Sequence, residues 1–152
     1  MVSRITDERM AHMHGVAEYM YAHALEHQLE PEKMYVLGLL HDIGYLGGKD
    51  GHESRGANIL KNLGFEMGYF IAILWHGSTP SDFLALTGGE KKLKIPKELI
   101  LLWRADMSVD SKGNEVGFQK RLEDIGNRLG FESREYKNCS EVIEWLIHNG
   151  WK

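Results

Sequence analysis

The sequence predicts an all-α fold, and three features carry that prediction. Apolar residues recur at the three- and four-residue spacing of one helix face, as in Leu99, Leu102 and Trp103. Capping residues and prolines mark helix starts near Thr6, Pro31, Thr79-Pro80 and Pro96. No stretch alternates apolar and polar residues as a half-buried strand would. With 152 residues and 43% hydrophobic content the chain can bury a real core within one domain. The expected architecture is a compact single-domain bundle of about seven helices over residues 1–152, with C-terminal helices in 115–152 packed on the rest.

Thr6 caps a first long helix whose opening turn holds Asp7 and Glu8, as the helix dipole favours, and the pattern runs to about Gln28. Pro31 begins a second helix that carries the apolar run Val36-Leu37-Gly38-Leu39-Leu40 into His41-Asp42. Gly44 lets the chain turn away there, and Gly47-Gly48 prolongs the turn. Glu53 to Leu63 and Glu66 to Trp75 read as third and fourth helices separated by Gly64. Thr79-Pro80-Ser81-Asp82 starts a short helix that Gly88-Gly89 ends. In the helix opened by Pro96, Asp106 stands on the face of Leu99, Leu102 and Trp103, so a carboxylate ends an apolar stripe. Val109 to Val116 reads as a loop. Phe118, Leu122, Ile125 and Leu129 mark the next helix, and Asn138 with Glu141 starts the last, with Val142, Leu146 and Ile147 facing inward.

The formal charge of -4, spread without long blocks of one sign, gives no footprint for a long nucleic acid. The single cysteine, Cys139, cannot form an intramolecular disulfide, and the N-terminal residues lack the apolar core of a signal peptide. No apolar run approaches the roughly 20 residues that cross a bilayer. These features lead us to expect a soluble cytoplasmic protein with no membrane partner; the oligomeric state is left open.

Chemistry concentrates at His41-Asp42, where two strong metal ligands end an apolar run. Adjacent helical residues point about 100° apart, so both reach one ion only over the helix end. A lone His-Asp pair is more often a hydrogen-bonded core histidine, so the remaining histidines decide. The sequence has eight. His12 and His14 lie about 200° apart on the first helix. Val16, Tyr19 and Met20 fall within about 80° of His12, which places His12 in the core and His14 in solvent. His23 is about 16 Å farther along the axis and reads as packing or partly exposed, while His27 and His148 read as surface. His12, His41, His52 and His76 remain, with Asp42 and Asp106. Buried without partners, such groups cost several kcal/mol each, and a shared cation removes the cost. Mixed imidazole and carboxylate donors suit a divalent first-row ion such as Fe, Mn, Co, Ni or Zn.

The order Arg9-x-x-His12-x-x-Gly15, Leu40-His41-Asp42-Ile43-Gly44, His52-x-x-x-Gly56, His76-Gly77 and Ala105-Asp106 resembles the HD superfamily of metal-dependent phosphohydrolases over residues 9–107. The resemblance implies an all-helical domain in which His12, His41, Asp42 and Asp106 hold one ion. Relatives with histidines at the places of His52 and His76 hold a second ion, with the aspartate matched by Asp42 as bridge. The pattern looks most like the small bacterial diadenosine tetraphosphate hydrolases and, more distantly, the cyclic dinucleotide phosphodiesterases. Met107 to Asn114 departs from the arginine-bearing stretch of the former, and residues 115–152 have no counterpart.

The implied activity is hydrolysis of a phosphoester or phosphoanhydride in a small nucleotide-like substrate, with metal-activated water as nucleophile and Asp42 at the catalytic centre. Positive side chains beside the phosphoryl oxygens would assist. Arg9, one turn before His12, is the first candidate, and Arg55 and Lys49 follow. Each alone is more often a surface charge. Glu53, beside His52, is a candidate proton donor or ligand-orienting group, although a solvated helix start also accounts for it. Asp110, one turn past Asp106 if the helix continues, is a candidate partner of the ligands or a plain loop residue. Lys91, Lys92, Lys94 and Lys97 would guide an anion or simply line a solvated loop. Two other functions fit the same ligands: a di-iron oxygenase of the HD type, and a metal-containing nucleotide-binding protein without turnover.

Overall fold

A computed structural model of the chain describes residues 5–87 and 94–151. It contains, among the described residues, eight α-helices and no named strand. They are α1 (Asp7–His23), α2 (Pro31–Leu40), α3 (His52–Asn62), α4 (Met67–Trp75), α5 (Pro80–Thr87), α6 (Lys97–Asp106), α7 (Phe118–Leu129) and α8 (Arg134–His148). The class is the one expected, and each of the eight corresponds to a segment read as helical in the sequence, one above the round figure of seven. Short 3-10 turns at Leu25–His27 and Ile43–Gly47 follow α1 and α2.

Caps or a first-position proline mark several of the helix starts. The Thr6 hydroxyl accepts from the Arg9 amide at 3.1 Å, and Pro31 fills the first position of α2. Thr79 likewise accepts from the Asp82 amide. Two boundaries differ from expectation. The first helix stops at His23, five residues early, and the chain leaves the following turn through Gln28 at φ 58°, a left-handed conformation that ends any helix. The last helix starts after Ser133, whose hydroxyl caps the Tyr136 amide, and Asn138 lies inside it. As expected, α6 ends at Asp106 and a loop follows, in which Asp110 sits in a turn closed by a bridge between Val109 and Glu115. The expected helix stop at Gly88-Gly89 lies outside the described residues, as do Lys91 and Lys92.

At the centre is α6, in which every residue from Leu99 to Ala105 is buried. A helix apolar on all sides must be covered on all sides. The paired helices α1 and α2 pack against it with α4, α3 lies on α4, and α8 covers it further with Val142, Ile143 and Leu146. Ile147 and Leu129, expected to face inward, are 48% and 45% exposed. Val36, Leu39 and Leu40 are only partly covered, so Met34, Leu37 and Gly38 form the buried side of α2. One close approach places the site. A Cβ on Gly15 would lie 2.5 Å from the Gly113 carbonyl oxygen, so the glycine lets the 109–115 turn rest on α1 one helical turn from His12.

Candidate metal centre

Three helices end at the same place. His41 follows the last turn of α2, His76 follows that of α4, and Asp106 is the final residue of α6. The C-terminal end of a helix carries negative partial charge from its unpaired carbonyls, so three converging ends favour a cation. His12 enters from α1 and His52 from the start of α3. The imidazole rings stand 5.3–5.5 Å apart in the pairs His12–His41, His41–His76 and His52–His76.

Each of the four imidazoles is oriented by the backbone. The Nδ1 atoms of His12, His41, His52 and His76 donate to the carbonyls of Asp110, Gly38, Lys49 and Ile73 at 2.9, 2.6, 3.1 and 2.6 Å. A carbonyl oxygen can only accept, so Nδ1 carries the proton and, in the neutral ring, Nε2 is left with a lone pair. All four Nε2 atoms then face carboxylates. His12 Nε2 lies 2.7 Å from Asp106 Oδ1, and His41 Nε2 lies 3.8 Å from that oxygen and 3.2 Å from Asp42 Oδ2. His76 and His52 Nε2 lie 3.2 and 3.7 Å from Asp42 Oδ1. Lone pairs facing carboxylate oxygens repel unless a proton or a metal ion lies between them. His41 Nε2 is fully buried and has no aligned hydrogen-bond partner among the described residues. An orphaned buried acceptor is costly, and a cation relieves it.

The donors fall into two groups that share Asp42. Ligand atoms of His12, His41 and Asp42 lie within 4.8 Å of one another, as do those of Asp42, His52 and His76. Asp106 adjoins the first group. These residues could hold one or two divalent ions, with the two oxygens of Asp42 directed to different groups.

The charges agree with that arrangement. Burial disfavours ionised Asp42, yet His41 and His76 outweigh it and hold the acid well below the usual carboxylate range. For Asp106 burial is likewise outweighed, here by His12, His41 and Arg121. Burial resists protonation of His41, but Asp42 and Asp106 prevail and lift the imidazole to about 9. In His52, burial and the neighbouring His76 lower the imidazole instead.

A cleft of about 700 Å³ opens over the cluster. Arg9 leans into it from α1, with Nη1 3.2 Å from Asp42 Oδ2 and its guanidinium 3.5 Å over the Tyr45 ring. Tyr45 also packs on His52 at 4.1 Å, and burial and Asp42 push its phenol up to about 12. Glu53 lines the same cleft, with Oε2 3.4 Å from His52 Nδ1, and Lys49 sits at its edge. Arg55 does not join them. Its guanidinium donates to the carbonyls of Gly44, Gly48 and Asp50, so it fastens the glycine-rich turn. Asp110 meets the cluster through its carbonyl to His12, while its carboxylate caps the amides of Lys112 and Asn114. Lys97 bonds His27 and Gln28, and neither it nor Lys94 lines the cleft. His14 and His148 are exposed and His23 pairs with Glu26, while His27 is stacked on Trp151 at 3.9 Å and is not a plain surface residue. The sequence reading missed Arg121, Arg128 and Arg134, which wall the cleft from α7 and α8.

Four imidazoles and two carboxylates gathered at converging helix ends define a helical protein with a His/Asp centre suited to divalent metal. The model of the HD domain matches residues 9–107, and the chain belongs to that family. Among solved structures it is similar to the crystal structure of the HD domain of the L. monocytogenes phosphodiesterase PgpH. Identity is 16% with a TM-score of 0.51, over 95% of this chain and 94% of that one, a likeness of fold. No curated protein matched the sequence. Among the described residues, no helix is long and apolar enough to cross a membrane.

Proposed function

We propose that the protein is a metal-dependent phosphohydrolase that cleaves a phosphoester or phosphoanhydride bond in a small, nucleotide-like substrate. The observation that carries the reading is the common orientation of the four histidines. Each Nδ1 is tied to a main-chain carbonyl, so each Nε2 is turned toward Asp42 or Asp106. Carbonyl-anchored imidazoles are the usual support of metal ligands. His12, His41, Asp42 and Asp106 would hold one ion, and Asp42, His52 and His76 a second.

Such ions polarise a phosphoryl oxygen and bring the pKa of water toward neutrality. The chain supplies the rest. Arg9, steadied by Tyr45 and Asp42, offers its guanidinium to an equatorial phosphoryl oxygen, where negative charge grows during transfer. Glu53, on the cleft wall beside His52, would hand a proton to the leaving oxygen. Lys49, Arg128 and Arg134 at the cleft edge draw an anion inward. A volume of about 700 Å³ suits a small molecule rather than a polymer. The structural neighbour is called a phosphodiesterase, and cleavage of a P–O bond is chemistry this donor set suits.

The test is hydrolysis by protein loaded with Mn2+ or Co2+ of bis(4-nitrophenyl) phosphate, dinucleoside polyphosphates and nucleoside monophosphates. Turnover should need the metal, proceed without dioxygen, stop in Asp42→Asn and persist in His14→Ala. Loaded protein that cleaves none of them, or that turns over only with dioxygen, would overturn the reading.

A further inference from the structure

We infer that Arg121 is a positioning residue for the first of the two ions, so that the C-terminal helices, outside the 9–107 family match, complete the metal centre. The inference rests on the metal reading above. Its basis is a set of contacts around a charged side chain on the buried stripe of α7. Arg121 is only 7% exposed. Burying a guanidinium is expensive unless its donors are engaged. Those donors go largely to one residue of the cluster. Nε donates to the Asp106 main-chain carbonyl at 2.9 Å, and Nη2 lies 3.6 Å from Asp106 Oδ1. One planar fork is therefore hydrogen-bonded to the backbone of this residue and ion-paired with its carboxylate, which disfavours torsions that swing the carboxylate away.

The position of Asp106 makes the grip matter. It is the last residue of α6, where carbonyls lack helical partners and the helix is free to fray. The other three donors of that group are anchored differently: His12 and His41 through Nδ1 to carbonyls, and Asp42 between His41, His76 and Arg9. Asp106 is faced by His12 and His41 within the cluster, and Arg121 holds it from outside, as Arg9 holds Asp42.

Charge alone does not account for Arg121. On its far side Nη1 pairs with Asp124 Oδ2 at 3.2 Å, and Asp124 Oδ1 meets Arg128 Nε at 3.4 Å. Asp124 is thus shared by two guanidinium groups, the three side chains together stay positive, and their charge would oppose a nearby cation; what Arg121 offers an ion is the geometry it imposes on Asp106. Among the described residues, Arg121 forms no hydrogen bond or ion pair with the second group, Asp42, His52 and His76. Loss of the arginine should therefore affect one ion and spare the other. A simple helix cap would spare both, and general loosening would harm both.

The experiment titrates the full chain with Co2+ by calorimetry and visible absorption, comparing wild type with Arg121→Met and Arg121→Lys. Metal-free circular dichroism checks that each is folded. Wild type should bind two ions. Arg121→Met should bind one with unchanged affinity and the other about 10–100-fold more weakly, the usual cost of losing a group that orients a ligand. The Co2+ absorption of the weakened ion should change. Arg121→Lys, whose ammonium cannot span both contacts, should recover only part of the loss. If Arg121→Met proves unfolded, Arg121→Lys carries the comparison, with one ion weakened at least severalfold. Two ions of wild-type affinity in the folded variants, or both weakened equally, would overturn the inference and leave the metal reading standing. A wild-type chain that takes up no Co2+ would overturn both.

Discussion

The charge state of His41 gives a prediction about stability that needs no substrate. Without metal, Asp42 and Asp106 raise this imidazole from the usual 6.5 to about 9 despite its burial. The folded chain therefore holds a proton that the unfolded chain releases above about pH 6.5. A raised folded value means the stabilisation is complete below 6.5 and is lost as pH rises through 9. The difference of about 2.5 units, at about 1.4 kcal/mol per unit, amounts to about 3 kcal/mol. Other shifted groups leave this window nearly clean. His52 and His27 are lowered by burial and act below it, and Cys139, raised by burial to about 12, contributes only at its upper edge. The assay is urea unfolding followed by circular dichroism in chelator, at half-unit steps from pH 6.5 to 9. Metal-free protein should lose stability steadily, and His41→Asn should respond far less. Bound metal takes the place of the proton, so metal affinity should strengthen about tenfold per pH unit over the same range. Stability of the metal-free wild type that stays flat, or rises, across the window would refute the reasoning.

Other outcomes follow from single contacts. A Cβ on Gly44 would collide with the main-chain carbonyl of His52. Gly44→Ala should cost about 1–3 kcal/mol in urea unfolding and weaken the ion at Asp42, His52 and His76 more than the other. Arg9→Gln should keep both ions by mass spectrometry yet lower kcat about 100-fold on a phosphodiester, because it removes a donor to the growing charge. Arg55→Ala removes three bonds to loop carbonyls. It should lower the melting temperature by about 5 °C, for a loss of about 2 kcal/mol, with turnover at 20 °C retained.

What was legible in the sequence was whatever depends on local geometry. The phase of α1 separates His12 from His14, and the structure buries the first and exposes the second. His41-Asp42 and Asp106 end helices whose starts are marked by Pro31 and Pro96, so their places at the helix ends could be read from spacing. Where long-range packing decides, the signal was weaker. Asn138 and Glu141 imitate a helix start, but Ser133, just past Gly130 at φ 100°, wins the cap. Arg121 reads as an ordinary charge until its register is counted. It lies three residues after Phe118 and four before Ile125, on the buried stripe of α7, and that register was the available clue. Tyr45 sits in a glycine-rich turn with no periodicity to place it, and the stacking of His27 on Trp151 joins residues too distant in sequence to pair by inspection. Arg55 shows the converse case. A cation beside the glycine-rich turn resembles a phosphate ligand, and only the fold reveals that its donors go to the turn itself.

The central claim is that six side chains form a metal centre, and the most direct test is metal content per chain. Protein purified without added metal or chelator, in parallel with and without oxygen, would be measured by plasma mass spectrometry before and after titration. Close to two first-row ions per chain are expected in the wild type, and neither in Asp42→Asn, whose carboxylate both groups share. A wild-type chain with no ion in either preparation and none taken up on titration would contradict the claim.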